Sequence, residues 1–116
     1  MKLYGIPNCN TVKKARQWLA DHQVNVSFHD FRRDGINDTL LRGWLAQAPW
    51  EKLVNRASMT WHNLPDEVKT AIMDDASAIE LMLEKPSVIK RPLLENDGKI
   101  LYYGFDDAAY QKIFCS

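Results

Sequence analysis

The chain has 116 residues, an ordinary length for one hydrophobic core, and we expect a single domain over residues 1–116. Its 15 lysines and arginines balance 15 aspartates and glutamates, so net charge provides no long-range attraction to nucleic acid or to an anionic membrane. No apolar stretch approaches the roughly 20 residues that cross a bilayer, and no signal-peptide core follows Met1, which predicts a cytoplasmic protein. Two cysteines are too few for a disulfide framework, so any disulfide would be transient.

The first thirty residues predict a strand, a helix and a second strand. Residues 2–5 are a short apolar segment that ends in a Gly-Ile-Pro-Asn loop. Apolar side chains at three- and four-residue spacing predict a helix over residues 10–22, capped by Asn10 or Thr11. Residues 24–31 alternate with period two, which predicts a strand. A helical connection of this length makes the two strands parallel neighbours in one sheet.

The middle of the chain is predicted to be helical. Short amphipathic pieces separated by prolines occupy residues 37–47, 50–53, 65–75 and 76–84. Together they predict a helical insertion at about residues 37–85.

The last third predicts a hairpin and a closing helix. Apolar runs at 93–95 and 100–105 flank an Asp-Gly turn, which is typical of a β-hairpin. Asp106 or Asp107 can cap a helix that continues through Phe114. The order β-α-β, helical insertion, β-β-α predicts an α/β protein of thioredoxin-like (glutaredoxin-like) fold with a four-stranded sheet.

Cys9 is the candidate catalytic residue. It follows the first strand, where the unpaired amides of the next helix point outward and the helix dipole favours a thiolate. With cationic neighbours, here Lys13 and Arg16, such a cysteine has a pKa lowered from about 8.5 to roughly 3.5–7.5. The alternative is that Cys9 is a small buried residue without chemistry, since free cysteine is often buried.

The same helix start can bind an anion. Its exposed amides would hold an oxyanion such as arsenate or phosphate, or a peptide carboxylate. Val12 stands where a dithiol thioredoxin carries its second cysteine, so catalysis at Cys9 would be monothiol. An outside thiol, for which glutathione is the candidate, or Cys115 on the C-terminal tail would then resolve oxidised Cys9. We expect Cys115 to be an inert tail residue.

Arg91 and Pro92 precede the predicted hairpin, at the junction that faces Cys9 in a thioredoxin-like sheet. The guanidinium could grip an oxyanion bidentately and stabilise the thiolate. The Arg91-Pro92 bond is a candidate for the cis form, which would expose backbone groups to an extended thiol substrate. The alternative is a surface arginine at an ordinary turn.

Other side chains point to no further chemistry. The three histidines lack metal-ligand spacing with one another or with either cysteine, so no metal site and no tightly bound cofactor are expected. The four tryptophans fall at or near helical positions and are interpreted as packing residues rather than a nucleic-acid platform. A neutral chain of this size without an obvious exposed apolar stripe predicts a monomer.

Two separated motifs resemble the arsenate reductase (ArsC)/Spx family. They are residues 4–16 (YGIPNCNTVKKAR) and residues 85–93 (KPSVIKRPL). The resemblance extends along essentially the whole chain, and the monothiol Cys9 with Lys13 is most similar to the YffB branch of glutathione-dependent thiol reductases. It implies glutathione as co-substrate, glutaredoxin as a partner, and a small oxyanion or a mixed disulfide as substrate.

The resemblance also suggests site residues. In the arsenate reductases the matching cysteine attacks arsenate and arginines hold the oxyanion, roles that Cys9 and Arg91 fit. Residues 53–61 resemble a family stretch in which Arg56 would reach the anion site, although this arginine stands one position early. Gly5 departs from the histidine that the reductases often carry. The residues expected to bind an anion or glutathione are Asn10, Thr11, Lys13, Arg16, Arg56, Arg91 and Pro92.

Three functions follow from this pattern. The first is a glutathione-dependent thiol oxidoreductase, with arsenate as one of several possible substrates. The second is a Spx-like transcriptional regulator that binds RNA polymerase, a branch that typically senses oxidation through a CxxC pair. The third is a binding module in which Cys9 forms a glutathione adduct without turnover.

Overall fold

The structure, a computed structural model, describes residues 1–115, which fall into two units. The first unit consists of Met1–Gly35 and the chain from Arg91 onward, and the second is Ile36–Lys90. The predicted helical insertion therefore lies inside the second unit. Within the described residues, every helix is too short or too polar to span a bilayer.

The first unit is built on a four-stranded sheet. Its elements are β1 (Lys2–Gly5), α1 (Asn10–Asp21), β2 (Ser27–Asp30), β3 (Leu93–Asn96), β4 (Lys99–Tyr103) and α7 (Asp107–Cys115). The strand order is β2-β1-β3-β4, in which β1 is parallel to β2 and antiparallel to β3, and β3 is antiparallel to β4. These directions match the predicted β-α-β and β-β-α halves, so the predicted fold class is confirmed.

One face of this sheet forms a hydrophobic core with the two helices. Leu3 of β1 pairs with Leu94 of β3, which places both side chains on the same face. The buried members of this core are Leu3, Ala15, Trp18, Leu19, Leu94 and Tyr110. Because β1 and α1 are both fixed by this core, the loop between them is held at both ends.

Strand β2 is shorter than the sequence predicts. The strand expected over residues 24–31 covers only Ser27–Asp30. Gln23 has a positive φ of 57°, and the Val24 N–H still bonds to the Leu19 carbonyl at 2.9 Å, so the chain is leaving α1 at this point. Val24 and Val26 pack against the core as loop residues, which explains the alternation without a strand.

The hairpin forms as predicted. Asp97 and Gly98, between β3 and β4, have positive φ values of 50° and 83°, the conformation of a two-residue type I′ turn. Asp106 then caps the closing helix, because its Oδ2 accepts a hydrogen bond from the Ala109 N–H at 2.9 Å.

The second unit is helical. Its elements are α2 (Asp38–Leu45), α3 (Trp50–Leu53), α4 (Met59–His62), α5 (Asp66–Ala71), α6 (Asp75–Glu84) and a short 3-10 helix (Pro86–Val88). The helix predicted over 65–75 ends at Ala71, and a capping box formed by Asp74 and Ser77 starts the next helix, α6, at Asp75. Helix α4, which the sequence does not predict, is capped by Ser58, whose hydroxyl accepts a hydrogen bond from the Trp61 N–H.

Candidate active site

Cys9 occupies the N-cap position of α1. Its backbone is extended, with φ −94° and ψ 128°, and its carbonyl accepts the first helical bond from the Lys13 N–H at 2.9 Å. The prediction that Asn10 or Thr11 caps this helix is wrong, because both residues are already helical. The loop before Cys9 is closed by a 3.3 Å bond from the Cys9 N–H to the Ile6 carbonyl. The cysteine itself therefore stands where the free amides of the helix converge.

The surroundings of Cys9 favour its thiolate. Partial burial by itself raises the pKa of the thiol, but the Val12 N–H, the Arg91 side chain and the Thr11 N–H together outweigh it and lower the pKa below its ordinary value. The Cys9 side chain does not make the hydrogen bond of a regular N-cap. The amides of the first turn still stabilise the thiolate, because their dipoles present positive charge at the helix start. The cation among these groups is Arg91, whose side chain hydrogen-bonds to Cys9 and adds an attractive charge.

The position of Arg91 follows from the strand pairing. Leu93, two residues further on, pairs with Tyr4 of β1, so the chain that enters β3 passes the end of β1 from which Cys9 follows. The Arg91-Pro92 peptide bond is cis. Pro92 is buried, and its carbonyl accepts a 2.8 Å hydrogen bond from the Gly104 N–H. Gly104 has a φ of 94°, a conformation that glycine adopts readily.

Asn10, Thr11 and Lys13 lie in the first turn of α1 and are exposed. Their position beside Cys9 leaves polar side chains and helix-start amides available to a bound anion. The sequence also placed Lys13 among the cations that lower the pKa of Cys9, but Lys13 is not among the groups that do so in the structure. Its predicted role in binding an anion or glutathione stays a prediction.

Arg16 lies elsewhere in this unit. Its guanidinium sits 4.2 Å from the centroid of the Phe28 ring on β2, which is the geometry of a cation–π contact. The sequence placed Arg16 among the cations that lower the pKa of Cys9, whereas Arg91 has that effect in the structure. The spacing of residues along α1 does not reveal that Phe28 of β2 lies beside Arg16, so the sequence could not predict this contact.

Arg56 belongs to the second unit. It is exposed, and its guanidinium lies 5.9 Å from the centroid of the Trp50 ring. Its predicted part in anion binding stays a prediction.

The second cysteine and possible metal ligands are the other reactive groups to consider. Cys115 is an exposed free thiol at the last residue of α7. Among residues 1–115, no three His, Cys, Asp or Glu side chains are grouped so that they could hold a metal ion.

Sequence reasoning missed the part that Val12 takes. It noted Val12 only as the residue that replaces a second cysteine, yet the Val12 N–H is the first of the groups that lower the pKa of Cys9. A backbone amide carries no signature in the residue type. The available signal was its position, three residues after an N-cap, where helix-start amides meet a capping side chain.

The fold and the site together define a thioredoxin-like protein in which a cysteine of lowered pKa, Cys9, lies at a helix start. Residues 4–113 match the model of the ArsC family, and the chain belongs to that family. Its solved neighbours include the protein described as YFFB, which is 47% identical, has a TM-score of 0.87 and is matched over 96% of both chains.

Two curated relatives extend the comparison. An uncharacterized protein of Haemophilus influenzae is 45% identical over 112 residues, which cover 97% of this chain and 96% of that protein. The regulatory protein MgsR of Bacillus subtilis is 28% identical over 116 residues, which cover 97% of this chain and 89% of MgsR. A solved protein of Brucella melitensis described as arsenate reductase (ArsC) related is 47% identical, has a TM-score of 0.80 and is matched over 99% of this chain and 94% of that one. The chain is thus similar both to a protein related to arsenate reductases and to a protein named as a regulator.

Proposed function

We propose that the protein is a monothiol, glutathione-dependent oxidoreductase in which the Cys9 thiolate is the nucleophile. The observation that carries the proposal is the lowered pKa of Cys9, between the amides of α1 and the Arg91 guanidinium. A thiolate, and not a thiol, attacks a disulfide sulfur or an electrophilic oxyanion centre. Because position 12 is valine and not cysteine, the disulfide that forms first at Cys9 is resolved by a thiol of a second molecule.

The favoured substrate class is a mixed disulfide with glutathione. Cys9 Sγ attacks the glutathione sulfur, the S–S bond breaks, and the substrate sulfur leaves with the electron pair and takes a proton. A second glutathione thiolate then attacks the glutathione sulfur bound to Cys9. This step releases glutathione disulfide and regenerates the Cys9 thiolate, so two electrons reach the substrate in one cycle.

Arsenate is the second substrate class. The helix-start amides and the Arg91 guanidinium suit a tetrahedral oxyanion beside the sulfur. Cys9 Sγ would displace one arsenate oxygen as water, and glutathione attack on Cys9 would release arsenite, with two electrons passing to arsenic. The Cys9–glutathione disulfide left behind would then be reduced by glutaredoxin or by a second glutathione.

Turnover assays separate these substrates. We would measure glutathione oxidation with a glutathionylated model disulfide and with arsenate, using wild type, Cys9→Ser and the matched control Cys115→Ser. We expect Cys9→Ser to abolish turnover and Cys115→Ser to retain it. We also expect mass spectrometry to find one glutathione on Cys9 when reducing thiol is limited. Turnover that survives in Cys9→Ser would overturn the proposal.

A regulatory role is the second candidate, and the similarity to MgsR favours it. In that case the fold would act as an interaction surface for RNA polymerase, and Cys9 oxidation would alter binding. Such a protein would bind the polymerase in a pull-down with purified components and would lack glutathione-dependent turnover. A disulfide sensor of the CxxC kind is disfavoured, because Val12 replaces the second cysteine of that pair.

A further inference from the structure

Gly5, the last residue of β1, lies against Val12 in the first turn of α1. A Cβ atom on Gly5 would be 2.8 Å from Val12 Cγ2 and 3.4 Å from Val12 Cγ1. The first distance is well below the separation that carbon atoms in contact prefer, about 3.5–4.0 Å. Val12 is fully buried, so its side chain has no free space into which to turn. Strand β1 and helix α1 therefore pack closely at this point because residue 5 has no side chain.

The backbone conformation does not explain this glycine. Among the described residues, the glycines with positive φ are Gly35, Gly98 and Gly104, and Gly5 is not one of them. Alanine could adopt the strand conformation at position 5, but its methyl group would disturb the close packing of Gly5 against Val12.

The strand is the fixed partner in this contact. The Gly5 carbonyl accepts a 3.0 Å bond from the Phe31 N–H, and Tyr4 beside it pairs with Leu93 of β3. A methyl group at position 5 would consequently push the first turn of α1 away from the sheet, since the strand is held on both sides.

Val12 connects this packing to the thiol. Its N–H belongs to the first turn of α1, which Cys9 caps, and stabilises the Cys9 thiolate, while its side chain lies against Gly5. Both groups share one Cα, and a valine side chain is stiff at χ1, so a displaced side chain carries the amide with it. Hydrogen-bond-like interactions weaken steeply with distance and angle.

We infer that Gly5 is a positioning residue for Cys9: the absence of a side chain at Gly5 lets α1 approach β1 closely enough to set the Val12 amide beside the sulfur. Arg91, two residues before β3, interacts with Cys9 from the other side of this junction of the chain and supports the thiolate independently of Gly5. The inference rests on the proposed function only in taking Cys9 as the reacting group.

The test uses three variants in a Cys115→Ser background, so that Cys9 is the one thiol left. They are Gly5→Ala, Val12→Ala and the double variant Gly5→Ala/Val12→Ala. The rate of alkylation by iodoacetamide, measured against pH, reports the pKa of Cys9. We expect Gly5→Ala to raise this pKa and to slow alkylation at pH values below it, by about threefold for a pKa increase of about 0.5.

The double variant is the decisive control. Alanine at position 12 removes both Cγ atoms that a Gly5 Cβ would meet, so the double variant should fold and return the midpoint to that of Val12→Ala alone. An unchanged midpoint in folded Gly5→Ala would overturn the inference. A double variant that stays shifted, or that fails to fold, would overturn it as well, because Gly5 would then be needed for another reason.

This readout is independent of turnover. A wild-type protein that reduces no substrate while the variants shift the Cys9 midpoint as expected would refute the proposed function and leave the positioning of Cys9 by Gly5 standing. Turnover at Cys9 without any change in the midpoint would refute the positioning alone.

Discussion

Trp18 Nε1 donates a hydrogen bond to Asp107 Oδ1 at 2.9 Å and so joins the buried face of α1 to the first residue of α7. The two residues are 89 positions apart. The Trp18 ring also meets the Tyr110 ring edge-on, at 5.4 Å between centroids. The side chain of one tryptophan therefore holds the C-terminal helix on the same core that fixes the helix bearing Cys9.

Asp107→Ala should lower the free energy of unfolding by about 1 kcal/mol, because the Trp18 N–H loses its acceptor. Asp107→Asn keeps an acceptor oxygen and is the matched control; it should retain most of the stability and lose only the charge at the helix start. Urea unfolding at neutral pH measures both. Equal losses in the two variants would mean that the hydrogen bond contributes nothing.

Two buried tyrosines should respond in opposite ways to loss of their hydroxyl groups. Burial, and then the charge and hydrogen bond of Glu95, raise the pKa of Tyr4 to about 12. Because Glu95 is itself 8% exposed, Tyr4→Phe leaves a buried carboxylate without this donor and should cost about 1.5–3 kcal/mol of unfolding free energy. The Tyr110 hydroxyl has no hydrogen-bond partner in the described part of the chain, so Tyr110→Phe should be neutral or stabilising by up to about 1 kcal/mol.

The pH dependence distinguishes the contribution of the buried, protonated Tyr4 hydroxyl from that of ring packing. A raised phenol pKa stabilises the folded state fully below the ordinary tyrosine value near 10, and this contribution is lost as pH rises through about 12. The difference in unfolding free energy between wild type and Tyr4→Phe should accordingly stay constant from about pH 7 to 9 and shrink above about 10. A difference that persists unchanged at high pH would assign it to packing alone.

The sequence predicted those parts of the site that depend on chain order. A loop with Pro7 between a strand and a helical period places Cys9 at a helix start, and Arg91 precedes a proline at the entry to the hairpin. It could not predict relations that need the third dimension. Arg16 could contact either neighbour of α1 until the position of Phe28 was known, and the closeness of Gly5 to Val12 depends on how α1 rests on the sheet.

The side chains that cover the edge strand β2 could not be predicted from the sequence either. Strand β2 lies at one edge, and the N–H groups of Ser27 and Phe31 face β1, so the backbone groups of Phe28 and Asp30 face outward. Arg33 Nη2 donates to the Phe28 carbonyl at 3.1 Å, and Asp34 Oδ2 accepts from the Asp30 N–H at 3.0 Å. These two side chains, paired with each other at 2.8 Å, occupy the edge.

Opening this edge should promote self-association. Arg33→Ala/Asp34→Ala leaves outward-facing N–H and C=O groups that a second chain can pair with, since exposed edge strands are templates for strand addition. Sedimentation velocity should detect a larger species that grows with protein concentration in the double variant. Arg32→Ala, an exposed arginine of the same loop, is the matched control and should behave as wild type. An unchanged sedimentation coefficient at the highest concentration would refute a protective role for the pair.

The lowered pKa of Cys9 makes stability depend on pH in a direction that can be calculated. Burial opposes the thiolate, but the Val12 amide, the Arg91 side chain and the Thr11 amide prevail, so the folded pKa lies below that of the unfolded chain. A depressed pKa contributes stability that is complete above the unfolded thiol value, about 8.5, and is lost as pH falls through the folded value. The unfolding free energy of wild type minus that of Cys9→Ser should therefore rise with pH across this window.

Arg91→Ala should flatten that rise and move the pH midpoint of Cys9 alkylation upward, because it removes the charge and the hydrogen bond from the thiolate. Arg91→Lys should give an intermediate midpoint, since it keeps the charge but not the planar guanidinium. Lys14→Ala, an exposed cation on the same helix as Cys9, is the matched control for net charge and should leave the midpoint in place. If Lys14→Ala and Arg91→Ala shift the midpoint equally, general electrostatics and not the Arg91 contact would set the ionisation of Cys9.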